Sequence, residues 1–350
     1  MKKTLIAVAA LAATGAFAQV SVYGRLDAGY AQTKSTNIAI NGATGAASYS
    51  AGNYQKNNGV ESHNSASSMW GIQGSEDLGG GMKAFFKLEQ DVYTANGNTG
   101  ASGAGGGAAN AAGFNRTSLV GVSGGFGSVA FGRDYVPFFK LIGATDINSL
   151  SRISTVQRSA ASGYSTTGQQ IVYTSPNLSG FVGSLAVIAD DNSTNTATAK
   201  EGATNATIQY MNGPLMVGVG FANKKVTATT TETKTSATVL AGSYDLGVVR
   251  LVGNYISDKV TQTAATDIKQ TELNIGAIMP MGKVTLRAQV GRNNYEEGAV
   301  DRSGTDMVLG AEYALSAKTA LFAKTGTFDK NRLGDDAKVQ STAVGVRTVF

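Results

Sequence analysis

The stretch KVTLRAQVG, residues 283–291, alternates apolar and polar side chains along its whole length. Successive side chains of a β-strand point to opposite faces, so this segment has one apolar face and one polar face. The stretches TELNIGAIM (271–279) and DMVLGAEYA (306–314) repeat the pattern. In the first stretch the apolar parity comprises Val284, Leu286, Ala288 and Val290, and the polar parity comprises Thr285, Arg287 and Gln289.

Sixteen such segments can be counted between residue 20 and the C-terminus, separated by Gly, Asn, Ser, Thr and Asp. After residue 18 no window approaches the ~18 apolar residues that a membrane helix needs. A chain of this kind can enter a membrane only as a closed barrel, because only helices and barrels satisfy all their backbone groups in lipid. The pattern predicts an all-β protein, a transmembrane antiparallel β-barrel of sixteen strands.

The connections between these segments alternate in length. Tight links such as SEDLGGGMK (75–83) and SGGFGS (123–128) are interleaved with long, low-complexity stretches, which we expect to be loops. Short turns at one end and long loops at the other are typical of outer-membrane barrels. A soluble β-sandwich shares the strand signal but does not need this asymmetry. The predicted long loops are 31–66, 95–113 and 227–237.

The N-terminus carries an export signal. Lys2 and Lys3 precede an apolar core from Leu5 to about Ala13, which is followed by Ala16-Phe17-Ala18, an A-x-A cleavage pattern. We therefore expect residues 1–18 to be a cleaved signal peptide and 19–350 to be the mature domain.

The composition excludes several classes of function. The chain has no cysteine and one histidine, His63, which lies in a polar stretch and is expected to be an incidental surface residue. Serine nucleophiles usually need a neighbouring base, and no metal-ligand spacing occurs, so neither an enzyme nor a metal or cofactor site is predicted. The net charge is +5, with one adjacent basic pair in the mature chain, Lys224-Lys225, which gives no indication of nucleic-acid binding.

Four longer stretches and the end of the chain form a recognisable set: SVYGRLDAGY (21–30), SSMWGIQGSEDLGGGMKAFFKLE (67–89), FNRTSLVGVSGGFGSVAFGRDY (114–135), YTSPNLSGF (173–181) and the terminal phenylalanine, Phe350. Together they resemble the general (non-specific) porins of Gram-negative bacteria, particularly the beta-proteobacterial type. The resemblance covers nearly the whole mature chain.

The resemblance implies a water-filled outer-membrane channel for passive diffusion of small hydrophilic solutes and ions. It implies a homotrimer in contact with outer-membrane lipid and lipopolysaccharide, and it implies that Phe350 is read by the outer-membrane assembly machinery. It also implies that the third extracellular loop, about 134–168, folds into the lumen as a constriction. Without the resemblance, the same residues favour an extracellular flap.

Selectivity in such a pore depends on opposed charges at the constriction. Arg25, Arg116 and Arg133 match basic positions of the family. Parity turns Arg25 inward, whereas Arg116 shares parity with Val120, and Arg133 points inward only if its strand breaks at Gly132. The full set of predicted pore residues is Arg25, Arg116, Arg133, Lys140, Arg152 and Arg158, opposed by Glu89, Asp91, Asp134 and Asp146.

Two departures from the family change the expected field. Met69 and Gln73 stand where family members commonly have arginines, and the loop lacks the usual Pro-Glu-Phe motif but adds Arg152 and Arg158. We expect a weak preference for anions. The alternative is a substrate-specific channel whose lumen binds an anionic metabolite or a sugar.

Overall fold

The computed structural model describes residues 19–40, 47–99, 113–156, 166–188, 199–228, 230–263, 265–330 and 333–350. Within these ranges no helix is long and apolar enough to cross a membrane. The predicted signal peptide, 1–18, lies outside the described residues and stays a prediction. The strands are β1 (Gln19–Ile40), β2 (Ala47–Glu61), β3 (Met69–Gly79), β4 (Met82–Asp91), β5 (Thr117–Gly124), β6 (Gly127–Tyr135), β7 (Thr166–Thr174), β8 (Phe181–Ile188), β9 (Ala199–Asn212), β10 (Leu215–Ala228), β11 (Glu232–Asp245), β12 (Arg250–Gln262), β13 (Ile268–Met281), β14 (Val284–Glu297), β15 (Val300–Ala314), β16 (Thr319–Asp329) and β17 (Lys338–Val349), and one helix, α1 (Pro137–Thr145), follows β6.

The strands form one closed antiparallel sheet of sixteen positions. From β3 to β17 each strand pairs with the next, and β17 pairs with β1 from Arg25↔Val349 to Thr36↔Lys338. Both β2 and β3 pair with the same edge of β1, β3 along Gln19–Arg25 and β2 along Gly29–Ile40. They therefore share one position in the wall, and the predicted sixteen-stranded barrel is confirmed.

Two of the predicted long loops are wrong. Most of 31–66 is strand, because β1 continues to Ile40 and β2 occupies Ala47–Glu61. Most of 227–237 is strand as well, because β10 ends at Ala228 and β11 begins at Glu232. Beyond the lipid both faces of a strand meet water, so the backbone ladder continues without the apolar alternation on which the sequence argument depended. The third predicted loop, 95–113, falls largely outside the described residues.

The two faces of the wall have the chemistry that the alternation predicts. On β14 and β15, Leu286, Val290 and Leu309 are exposed on the outer face. Gln289 and Glu312, on the opposite parity, are buried inside. This is the reverse of a soluble core, as expected where lipid covers the outside of the barrel.

Closure of the barrel depends on the end of the chain. Gly24 donates its N–H to the carbonyl of Phe350 at 3.1 Å, and Phe350 donates back at 3.0 Å. A Cβ on Gly24 would lie 2.3 Å from the Phe350 ring, so the ring occupies the space that glycine leaves open. The terminal phenylalanine is therefore part of the wall.

Candidate pore lining and constriction

Helix α1 packs against the inner face of the wall. Proline at its first turn suits a helix start, since the missing N–H would have no intrahelical partner there. Its apolar side chains contact inward-facing residues of the far wall, which alternate with the exposed lipid-side residues. The helix residues are Phe138, Phe139, Leu141 and Ile142, and their wall partners include Met216, Ala222, Val239, Ala241 and Ile256.

Polar contacts extend this docking along the barrel. The Phe138 N–H donates to Asn205 Oδ1 on β9 at 3.1 Å. Asn254 on β12 donates to Thr145 Oγ1 at 3.0 Å. Asn148 donates to Gln289 Oε1 on β14 at 3.1 Å. The described part of the third loop, 134–156, thus runs inside the barrel from β6 past β14.

A second stretch also turns into the barrel. We call residues 62–68, which join β2 to β3, the inward segment; all of them except Ser67 are buried. The predicted surface residue His63 is part of it, and that prediction is wrong. Its ring stacks on Tyr93 with centroids 4.5 Å apart, and its Nε2 lies 3.8 Å from Asp91 Oδ1. The polar composition that suggested a surface loop belongs to a stretch that lies inside a polar lumen.

A first charge cluster lies on β4 and the start of β5. Arg116 contacts Asp91 Oδ1 at 2.7 Å and Glu89 Oε2 at 3.7 Å. Lys87 reaches Glu89 Oε1 at 2.9 Å, and Tyr23 donates to the same oxygen at 2.8 Å. Arg116 can turn inward despite the parity of Val120 because it precedes the first residue of β5.

The strand break on which Arg133 depends is present. The register of β6 against β7 shifts between Gly132 and Asp134, and Gly132 has φ +130°. After this break Arg133 Nε donates to the carbonyl of Asn115, while Asp134 accepts from Lys140 Nζ at 2.6 Å. The bulge thus changes which side chains the end of β6 presents to the pore.

Replacing Gly132 with alanine should destabilise this bulge. A Cβ there would lie 2.2 Å from the Ser118 carbonyl, and the backbone conformation is one that only glycine adopts readily. We expect a loss of roughly 1–3 kcal/mol of stability, measured as an earlier urea midpoint of Trp70 fluorescence in lipid vesicles. Gly125→Ala is the matched control, because a Cβ at that position would have no atom within 4 Å. Equal midpoints for the two variants would contradict the prediction.

A second charge cluster surrounds Glu312 on β15. Arg287 and Arg347 contact Glu312 Oε2 at 3.3 Å and 3.0 Å, and Ser65 donates to Oε1 at 3.0 Å. Lys324, which is buried, donates to the Ser65 carbonyl at 2.8 Å. The sequence reasoning missed this cluster as a site, although parity already placed Arg287 and Glu312 on the polar face of their strands.

The remaining predicted residues have diverse surroundings. Arg25 donates from Nε to the Ser67 carbonyl at 3.0 Å. Arg152 is exposed and pairs with Glu61 on β2 at 3.0 Å. Arg158 lies outside the described residues.

Asp146 is a buried residue of the third loop. Its carboxylate accepts the N–H groups of Asn148 at 3.1 Å and of Leu150, closing the turn after α1. Burial raises the pKa of Asp146 above its ordinary value, and these backbone donors and the distant Lys324 oppose the rise. Its main contacts are therefore with the loop itself.

Comparison with known proteins identifies the family to which this chain is similar. The profile of the Gram-negative porin family matches residues 4–333. Outer membrane porin protein 32 of Delftia acidovorans is 31% identical over 327 residues, covering 89% of this chain and 84% of that protein. The major outer membrane protein P.IB of Neisseria lactamica is 28% identical over 345 residues, covering 89% of each.

Solved structures agree with the sequence matches. An anion-selective porin from Comamonas acidovorans superposes with a TM-score of 0.77 at 25% identity, covering 95% of this chain and all of that one. The trimer form of OmpT from Vibrio cholerae shares the fold, with a TM-score of 0.65 at 15% identity and coverage of 95% and 99%. The family match extends over most of the chain, and it agrees with the closed barrel of sixteen strand positions, its apolar outer face and its charged lumen. The chain therefore belongs to the Gram-negative porins, which are channels of the outer membrane and not enzymes.

Proposed function

We propose that this porin conducts small hydrophilic solutes and ions by passive diffusion with a preference for anions. The observation that supports the preference is the unequal exposure within two lysine ion pairs of the lumen. The side chain of Lys140 is 49% exposed and that of its partner Asp134 is 13% exposed, while Lys87 is 37% and its partner Glu89 is 7% exposed. At these two pairs a permeating ion therefore meets the ammonium group before the carboxylate.

Counting the two clusters gives the same sign. The two clusters together hold five basic groups and three acidic ones. The basic groups are Lys87, Arg116, Arg287, Lys324 and Arg347, and the acidic groups are Glu89, Asp91 and Glu312. A relative of the same fold is described as an anion-selective porin, which supports the same sign for this chain.

The narrow part of the channel, in this proposal, is bounded by the third loop, about 134–168, and the basic wall facing it. The proposed pore residues are Arg25, Glu89, Arg116, Arg133, Asp134, Lys140, Asp146 and Arg152, together with Arg158. Opposed charges in a low-dielectric constriction act strongly on a passing ion, so small changes in this set should alter selectivity.

The assembly of the channel is part of the proposal. We propose a homotrimer in contact with outer-membrane lipid and lipopolysaccharide; the fold shared with a porin solved in a trimer form supports the oligomeric state. Phe350, packed at Gly24, is the proposed signal for the assembly machinery, and residues 1–18 are the proposed cleaved leader.

Anion preference can be measured with the refolded protein in a planar bilayer under a potassium chloride gradient. We expect a reversal potential displaced toward that of chloride. The double variant Lys87→Gln/Lys140→Gln should reduce the anion-to-cation permeability ratio roughly twofold to fivefold, because a charge ~4 Å from an ion in water contributes about 1 kcal/mol.

Lys259→Gln is the matched control, because Lys259 also pairs with a carboxylate, that of Asp267 at 2.6 Å, but lies near the β12–β13 connection. A reversal potential displaced toward potassium in the unmodified protein would contradict the proposal.

A second candidate function is a substrate-specific channel for an anionic metabolite. It is favoured by a cavity of about 670 Å³ whose lining includes Lys87, Lys140 and Gln73 beside Tyr135. Saturable block of the chloride current by a small dicarboxylate, lost in the double lysine variant, would favour this function over simple diffusion.

A further inference from the structure

The inward segment fills a gap in the pairing of β1. The pairing of β3 with β1 ends at Arg25↔Met69, and that of β2 begins at Gly29↔Glu61. Along this edge β1 therefore lacks a strand partner at 26–28, while seven residues, 62–68, connect β2 to β3. Unpaired backbone is costly in a membrane wall, so the groups at this gap need other partners.

Asp27 supplies the principal contact. Its side chain is 1% exposed, and its carboxylate accepts three successive backbone N–H groups of the inward segment: Asn64 at 3.1 Å, Ser65, and Ala66 at 3.0 Å. The Asp27 N–H donates to Ser68 Oγ at 2.8 Å. Successive N–H groups converging on one carboxylate fix the conformation of the peptide, and charge-assisted bonds of this kind are stronger than neutral ones.

The carbonyls of the same segment face the charged pore elements. Lys324 Nζ donates to the Ser65 carbonyl, and Arg25 Nε donates to the Ser67 carbonyl. The Arg152 N–H of the third loop donates to the His63 carbonyl at 2.9 Å. The inward segment therefore contacts Arg25, Lys324 of the second charge cluster and the distal part of the third loop.

We infer that Asp27 is a positioning residue that folds residues 62–68 into the lumen as a second constriction element, and that this element holds Arg25, Lys324 and the third loop in place. The inference rests on the proposed function, because it assigns the segment a part in ion selection. Freed from their carbonyl partners, Arg25 and Lys324 would have donors available to passing anions. Removal of the Asp27 charge should therefore raise both conductance and anion preference.

The position of the segment can be tested without any current measurement. The chain has no cysteine, so Ser62→Cys places a single thiol at a position that is 1% exposed. We expect slow reaction with a charged methanethiosulfonate reagent in vesicles, and a rate about tenfold higher when Asp27→Asn is added, because asparagine removes the negative charge and one of the two acceptor oxygens. Gln73→Cys, exposed on the wall, is the control and should react equally fast with and without Asp27→Asn.

Protection of the thiol at position 62 that persists in a folded Asp27→Asn barrel would overturn the inference. If Asp27→Asn does not form a heat-modifiable barrel, the labelling rate at position 62 is measured in Ser68→Ala instead. This variant keeps the Asp27 charge but removes the side-chain contact with the Asp27 backbone. This variant should accelerate labelling in the same direction by a smaller factor, and an unchanged rate rejects the inference. Faster labelling together with cation selectivity of the unmodified protein would support the role of Asp27 in positioning residues 62–68 but reject the proposed anion preference. Failure of the inference and failure of the proposed function can therefore be distinguished.

Discussion

Replacing Phe138 with alanine is expected to detach helix α1 from the wall and to increase the open-channel conductance. Phe138 has no exposed surface and packs against inward-facing residues of the far wall, including Val239. Truncating a buried phenylalanine typically costs about 3–5 kcal/mol. Nothing covalent holds the middle of the third loop to that wall, so a loss of this size should change the loop position before it unfolds the barrel.

The measurement is single-channel recording at symmetrical salt, with larger and noisier open levels expected for Phe138→Ala. Phe131→Ala is the matched control, because Phe131 lies on the nearby strand β6 but is exposed on the outer face. Conductance like that of the unmodified protein, in a variant that folds, would show that α1 does not limit the open channel. A change of equal size in Phe131→Ala would assign the effect to the barrel and not to the loop.

Replacing Glu312 with glutamine should increase anion selectivity and lower the stability of the barrel. The carboxylate contacts Arg287 and Arg347 and accepts from Ser65, so it is the acid at the centre of the second cluster. Glutamine keeps the shape and one acceptor oxygen but leaves the neighbouring cations uncompensated. Breaking a buried ion pair costs about 3–5 kcal/mol, and we expect less here because the two arginines are partly exposed to water.

Two readouts separate the effects of this variant. The reversal potential under a salt gradient reports the charge change, and the temperature at which the barrel loses its compact form on electrophoresis reports stability. Glu232→Gln is the matched control: its carboxylate also pairs with two cations, Lys225 and Lys234, but lies at the start of β11. We expect Glu232→Gln to alter neither quantity; a reversal potential unaffected by Glu312→Gln would remove the second cluster from the selectivity argument.

The bilayer explains why so much of the wall was predictable. A strand with lipid on one side and water on the other must alternate, and parity alone placed Leu286 outside and Arg287 inside. Where a strand extends beyond the lipid, side chains no longer need to alternate. For this reason the sequence pattern predicts a loop at residues 31–66, where the structure has β2 and the extension of β1 to Ile40.

The sequence by itself thus determined the barrel, its inner and outer faces and the family, because lipid imposes a period of two on every crossing strand. Only the tertiary structure decided the pore. The break at Gly132, the burial of His63 and the capture of residues 62–68 by Asp27 each depend on partners far away in the chain, such as Asn115, Asp91 and Ser65. Side-chain parity carries no information about such contacts, since they depend on how the connecting segments and strand ends fold onto their neighbours.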